Sequence, residues 1–217
     1  MTEPDSTGPR DRILDGIRSA LRTSIVPGNQ ETAPDSAAEE AAINREIILS
    51  RFTEELDLLG VDCFRESTPE EVARRVGLLI GGRKIFCWDS ASLPYGIASV
   101  LRDEQVVTDR DNHGSQAEAE IGLTGCSAGI AETGSLMLIP GEGTSGKNSL
   151  LPEIHVAVVK ESDIYYSMKE VFDHFKQELR KAPYVNIITG PSRTADIEQT
   201  LTLGVHGPGS VIVVIGP

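Results

Sequence analysis

Short runs rich in β-branched and aliphatic residues alternate along this chain with segments of helical periodicity. That alternation predicts an α/β protein whose sheet carries helices on both faces. The strand-like runs fall at residues 61–64, 84–88, 119–123, 129–132, 135–139, 155–159, 185–189 and 211–215. The run at 185–189 reads as a buried strand and 211–215 as the last one. Helical periodicity covers residues 37–59, with Gly60 placed to stop the helix. A second helix opens at Thr68-Pro69-Glu70-Glu71, where Thr68 suits the cap, Pro69 the first position and Glu71 the capping box; it runs to about Gly81. Residues 164–179 carry an apolar stripe of Tyr165, Met168, Val171, Phe172 and Phe175, the mark of a core-facing helix. Residues 194–203 complete the helical set.

The amino-terminal region is organised differently. Residues 10–22 form a short amphipathic helix with Ile13, Leu14, Ile17 and Leu21 on one face. Pro27, Gly28 and Pro34 interrupt residues 24–36, which read as a mobile linker. The expected division is therefore an arm over residues 1–36 and one domain over 37–217, the arm docking either on its own body or on another chain.

Acidic residues outnumber basic ones by 33 to 20, a net charge of −13, so nucleic acid is an unfavourable partner. Cys63, Cys87 and Cys126 lie far apart, without the close pairs of zinc or iron–sulfur sites. No run approaches the length of a membrane span, and the polar first residues offer no secretion signal. A reducing cytoplasm is the expected compartment.

Chemistry concentrates in a few strings. Thr189-Gly190-Pro191-Ser192-Arg193-Thr194-Ala195-Asp196-Ile197-Glu198 follows a strand and leads into the helix expected at 194–203. A cap from Ser192 or Thr194, acidic residues in the first turn and an Arg193 fork would make that corner an anion cradle; a well-capped helix with a solvated arginine is the equal alternative. Ala131-Glu132-Thr133-Gly134 is a turn between strands, where Glu132 is either an acid, base or nucleophile or a solvated carboxylate. Gly141-Glu142-Gly143-Thr144-Ser145-Gly146-Lys147-Asn148 approaches a P-loop. Asn148 stands where a magnesium-binding hydroxyl belongs, and Pro152 comes too early for the required helix, so a flexible loop or lid is expected instead. His113, His155, His174 and His206 lack metal-ligand spacing. His206 sits in Gly204-Val205-His206-Gly207-Pro208-Gly209, where glycines permit close backbone approach. This loop precedes a strand, whereas the Gly190 turn follows one. In a purely parallel sheet the two lie at opposite ends. A shared site would then need an antiparallel last strand or a position between subunits.

Those strings, with Leu151-Pro152 and His155, resemble the LUD domain, and within it the lactate-utilisation protein C family. The resemblance is strongest over residues 119–217. It implies a three-layer α/β/α sandwich of the NagB/RpiA/CoA-transferase-like fold. It also implies a part in oxidising L-lactate to pyruvate as a cluster-free subunit beside iron–sulfur lactate-utilisation proteins A and B, with no cofactor of its own and a small organic acid such as lactate as ligand. The residues expected at a site are Thr133, Thr189, Gly190, Ser192, Arg193 and Thr194 for ligand binding, and Glu132 and His206 for catalysis. Two other roles stay open: a stand-alone CoA-transferase or isomerase using Glu132, faintly like the Ser-Glu-Asn-Gly stretch of CoA transferases, and an organic-acid sensor. Stoichiometry, including association of several copies, is open as well.

Overall fold

The computed structural model describes residues 10, 13–14, 45–101, 105–195 and 201–217. The chain divides into two units, Met1–Ala42 and Ile43–Pro217, and everything below concerns the second. Arg10, Ile13 and Leu14 are helical, as expected of the arm; the rest of that helix, the linker and residues 37–44 lie outside the described residues.

Helix α1, Arg45–Leu58, buries Leu49, Phe52 and Leu56 and stops at Gly60, whose φ of +74° is left-handed. Strand β1, Asp62–Arg65, follows. Helix α2, Pro69–Ile80, begins as its sequence dictates: the Glu71 N–H donates to Thr68 Oγ1 at 3.2 Å, and the Glu71 carboxylate accepts from the Ser67 N–H at 3.1 Å. Gly81 closes it in the left-handed conformation. Thr68→Ala is expected to lower unfolding free energy by about 1 kcal/mol, and Thr68→Ser to preserve it. Urea denaturation of the three proteins checks this.

The remaining elements are β2 (Ile85–Cys87), β3 (Val106–Val107), α3 (His113–Ala117), β4 (Ile121–Gly125), β5 (Ala128–Ile130), β6 (Ser135–Leu138), β7 (Ile154–Lys160), β8 (Ile164–Tyr165), α4 (Met168–His174), α5 (Lys176–Lys181), β9 (Asn186–Ile188), β10 (Arg193–Ala195), β11 (Leu201–Leu203) and β12 (Ser210–Gly216). Short 3₁₀ turns at Ser90–Ser92, Pro94–Val100 and Gly146–Ser149 join them.

Six strands form one parallel sheet in the order β1-β12-β7-β4-β2-β3. Successive residues of a strand face opposite sides, so β1 reveals the layers. Phe64 lies under the Arg75 guanidinium of α2, 4.4 Å from ring to carbon, while Arg65 reaches Glu46 of α1 at 2.9 Å. Helices therefore cover both faces, the α/β/α arrangement expected. Val156, Val158, Val213, Val214 and Ile215 supply the buried centre.

A second sheet, order β8-β5-β6-β9, carries its own small core of Ala128, Ile130, Met137 and Val171 against Phe175 and Leu179. This sheet and the separate β10–β11 pair correct three expectations. The helix placed at 164–179 starts only at Met168: Ile164 and Tyr165 pair with β5, Ser167 caps α4, and the helix breaks at Phe175. The strand at 185–189 is not buried; β9 is an antiparallel edge strand and Ile187 is 36% exposed. The described residues of 194–203 are strand, not helix. Residues 193–195 and 201–203 instead pair as an antiparallel hairpin, extended by the Gly204 N–H donating to Ser192 C=O at 3.0 Å. Ser, Thr and Asp serve turns as readily as helix caps, and Leu201-Thr202-Leu203 alternates with a period of two, so tertiary pairing decided the outcome. Asp196 and Glu198 lie outside the described residues.

Candidate functional site

The anion cradle expected at this corner changes form: among the described residues no helix start faces the Gly190 turn, and Arg193–Ala195 is a strand. Arg193 instead donates from Nη2 to the Leu59 carbonyl at the end of α1, where a cation complements the helix dipole. Gly190, at φ +78°, packs on Leu59 beside it. Thr194 lies in β10.

The other half of the expectation takes a different form. Thr189, Gly190, Ser192 and His206 line one cleft of about 230 Å³, together with Ser149 and Val211. The strand before the Gly190 turn is antiparallel and belongs to the second sheet, so its end meets the loop that enters parallel β12. The conflict over strand direction dissolves without a second subunit. The Ser192 N–H donates to the Pro208 carbonyl at 2.8 Å, holding the two loops together. Gly207 faces Ser192, where a Cβ would come within 3.4 Å of the serine Cβ.

Thr133 reaches this cleft indirectly. Its hydroxyl lies 2.7 Å from Ser135 Oγ, which lies 2.8 Å from Thr189 Oγ1, so three hydroxyls form a chain ending at a lining residue. Glu132 is separate: its carboxylate accepts from the Met168 N–H at 2.7 Å, at the start of α4. It closes a helix end and does not line the cleft.

The P-loop-like string is no lid. The Asp89 N–H donates to Gly143 C=O at 2.9 Å, and Trp88 Nε1 donates to Ser145 C=O at 3.1 Å. Ser145 caps the Gly146–Ser149 turn, and Asn148 and Ser149 are buried. Beneath this strap His155 is wholly buried, its Nε2 2.9 Å from Thr124 Oγ1. Burial pushes its pKa down to about 4, so the ring is neutral at pH 7.

A second concavity went unread in the sequence. Between β2 and β4 the connections run to opposite sides of the sheet, and such a switch point opens a crevice at the carboxyl ends of the strands. A cavity of about 370 Å³ lies there, lined by Cys87, Trp88, Asp89, Thr108 and Arg110, and an adjoining one of about 360 Å³ by Trp88, Gly125, Cys126, Lys160 and Asp163. Arg110 and Asp89 pair across the first at 2.9 Å. The available signal was Asp89, a charge directly after the apolar run 84–88. Burial raises the thiols of Cys63 and Cys87 to about 11, with Asp89 contributing to the latter, and Cys126 to about 12. All three are thiols rather than thiolates at neutral pH, and so poor nucleophiles.

The sequence model of the LUD domain matches residues 49–215. The chain belongs to the LUD-domain family. Among its relatives in that family, the lactate utilization protein C of Geobacillus sp. (strain WCH70) is 31% identical over 160 residues, 66% of this chain and 64% of the relative. That of Shouchella clausii is 34% identical over 139 residues, 60% of this chain and 61% of the relative. Both matches thus span slightly less than two thirds of the relative. That of Anoxybacillus flavithermus is 29% identical over 212 residues and matches 91% of this chain and 92% of the relative. Among solved structures, a DUF162 family protein from Deinococcus radiodurans superposes with a TM-score of 0.64 at 21% identity, covering 81% of this chain and 99% of that one. That likeness is one of fold. It agrees with the α/β architecture of this LUD domain.

Proposed function

We propose that this LUD-domain protein serves lactate utilisation as the cluster-free member of a complex that oxidises L-lactate to pyruvate. Lactate gives up two electrons and two protons, and the electrons pass to iron–sulfur clusters held by partner proteins of the A and B type. The observation that carries the reading is the match, over nearly their whole lengths, between this chain and the lactate utilization protein C of Anoxybacillus flavithermus. The spacing of Cys63, Cys87 and Cys126, far apart in sequence and without the close pairs that ligate clusters, supports it. In this reading the cleft of Thr189, Gly190, Ser192 and His206 holds the small organic acid through hydroxyls and imidazole. The Thr133–Ser135–Thr189 chain fixes the direction in which the Thr189 hydroxyl points. Arg193 positions the Gly190 turn by its tie to α1.

Reconstitution decides the matter. The iron–sulfur partners are assayed for lactate-driven dye reduction with and without this chain. Activity should fall to near background when it is omitted. A full rate in its absence overturns the proposal.

A further inference from the structure

The crevice at the carboxyl ends of the parallel strands has no part in the lactate reading. It also lies at the opposite end of the sheet from the cleft of Gly190 and His206. Val211 lines that cleft at the start of β12, whereas Lys160 lines the crevice and pairs with Gly216 at the far end of the same strand. The two positions are about 16 Å apart along the strand.

Close approaches build the crevice. Gly125, at the end of β4, leaves room for the Trp88 ring, which a Cβ there would meet at 2.8 Å. Gly216 does the same for the Tyr95 ring at 2.6 Å, and the Tyr95 hydroxyl donates to the Pro217 carbonyl at 2.6 Å. Tyr95 is held at φ +57°, the one left-handed non-glycine residue among those described, directly after Pro94 in the wall. Such conformations persist where their surroundings enforce them, and they gather at ligand clamps.

The two lobes of the crevice differ in character. The one between Trp88 and Lys160 is polar and also lined by Asp163 and Ser92. Among the described residues neither Lys160 nor Asp163 forms an ion pair, with the other or with a third group, so both charges are available to a ligand. The second lobe is walled by Ala98, Leu101 and Val106, with Thr108 and the Asp89–Arg110 pair beside them. Trp88 and Ala91 belong to both lobes. Together the lobes fall within the roughly 300–1,000 Å³ of small-molecule sites.

We infer that this crevice is a second ligand site and that its ligand is a mononucleotide. Lys160 holds the phosphate, while the ribose hydroxyls donate to the Asp163 carboxylate and meet Ser92. The flat base lies past Trp88 against Leu101 and Val106, its polar edge toward Thr108 and the Asp89–Arg110 pair. Phosphate alone leaves Asp163 and the apolar lobe unused, and a nucleoside leaves Lys160 unpaired. The carboxyl-end switch point of an open parallel sheet suits a ligand of this kind. The inference is independent of the lactate reading.

Trp88 is the single tryptophan of the chain and lines both lobes, so its fluorescence reports occupancy of the crevice directly. The full chain is titrated with AMP, UMP, their nucleosides and inorganic phosphate at one ionic strength. At least one nucleotide should shift the Trp88 emission to saturation. It should bind about tenfold or more tighter than its nucleoside and than phosphate, the effect of one charge-assisted hydrogen bond. Lys160→Met should bring that nucleotide down to the affinity of its nucleoside, with the nucleoside itself and the melting midpoint unchanged. Asp163→Asn should weaken the nucleoside about threefold or more. No saturable response to either nucleotide, or an equal response to phosphate, overturns the site. So does a Lys160→Met protein that still prefers nucleotide to nucleoside, or an Asp163→Asn protein that binds the nucleoside as before.

Discussion

Gly122→Ala should be one of the most damaging single substitutions in this protein, lowering unfolding free energy by about 3 kcal/mol or more. A methyl group there would lie 1.7 Å from the Asn148 carbonyl oxygen, far inside contact distance, and 3.2 Å from Pro152 Cγ. The obstacle is backbone, so no rotamer change relieves it. Either β4 moves, disturbing its pairing with β2 and β7, or the strap through Asn148 lifts from the sheet and exposes the buried atoms beneath. Glycine in a central strand often marks such a close approach of a second backbone. Gly77→Ala is the control. It lies within α2, its new methyl would meet only Val100 at 3.7 Å, and alanine is the better helix former. It should gain about 0.5–1 kcal/mol. In a chain of this size, the Gly122 change should depress the melting midpoint by roughly 6 °C or more. If the two variants melt together, the strap does not rest on Gly122.

Much of the fold was readable because local signals agreed with tertiary structure. The apolar runs that became β2, β4, β7 and β12 are buried on both faces, and such strands announce themselves by continuous β-branched composition. Thr68-Pro69 and Gly81 delimit α2 because capping is local chemistry. The reading failed where nonlocal pairing decides. Residues 194–203 have the composition of a capped helix, but the Gly204 and Ser192 backbones close a hairpin instead. The error about the helix explains the error about Arg193: without a helix to cap, its nearest anionic end is that of α1. The cleft was found for an incomplete reason. The strings around Gly190 and His206 did converge, but only because β9 belongs to a second sheet, and no residue spacing announces that. Asn148 passed as a defect in a phosphate loop, since nothing in the string itself reveals that its amide is buried. The crevice near Trp88 and Asp89 requires strand order, which emerges only once all six strands are assembled.

His155 should give this protein a measurable loss of stability on mild acidification. Its ordinary pKa of 6.5 is pushed down to about 4 by burial, while in the unfolded chain the imidazole takes its proton near 6.5. Between those values the unfolded state binds more protons than the folded one, so unfolding free energy rises with pH across that window. The contribution is whole above pH 6.5, shrinks as pH falls, and stops changing below about 4, where both states are protonated. At 1.36 kcal/mol for each pH unit of difference, the total is about 3 kcal/mol. The carboxylates held low by ion pairing, Glu46, Glu118 and Asp173, start from values of 4.5 and 3.8, so their stabilisation is lost at lower pH. Denaturant unfolding between pH 7.5 and 4.5 therefore isolates the histidine. His155→Gln keeps a partner for the Thr124 hydroxyl but does not titrate, and the comparison reads the slope rather than absolute stability. The parent should weaken steadily below pH 6.5, while the variant stays nearly level to pH 4.5. Equal slopes would mean that the ring gains its proton without unfolding, through an opening of the Asn148 strap that admits water to Nδ1.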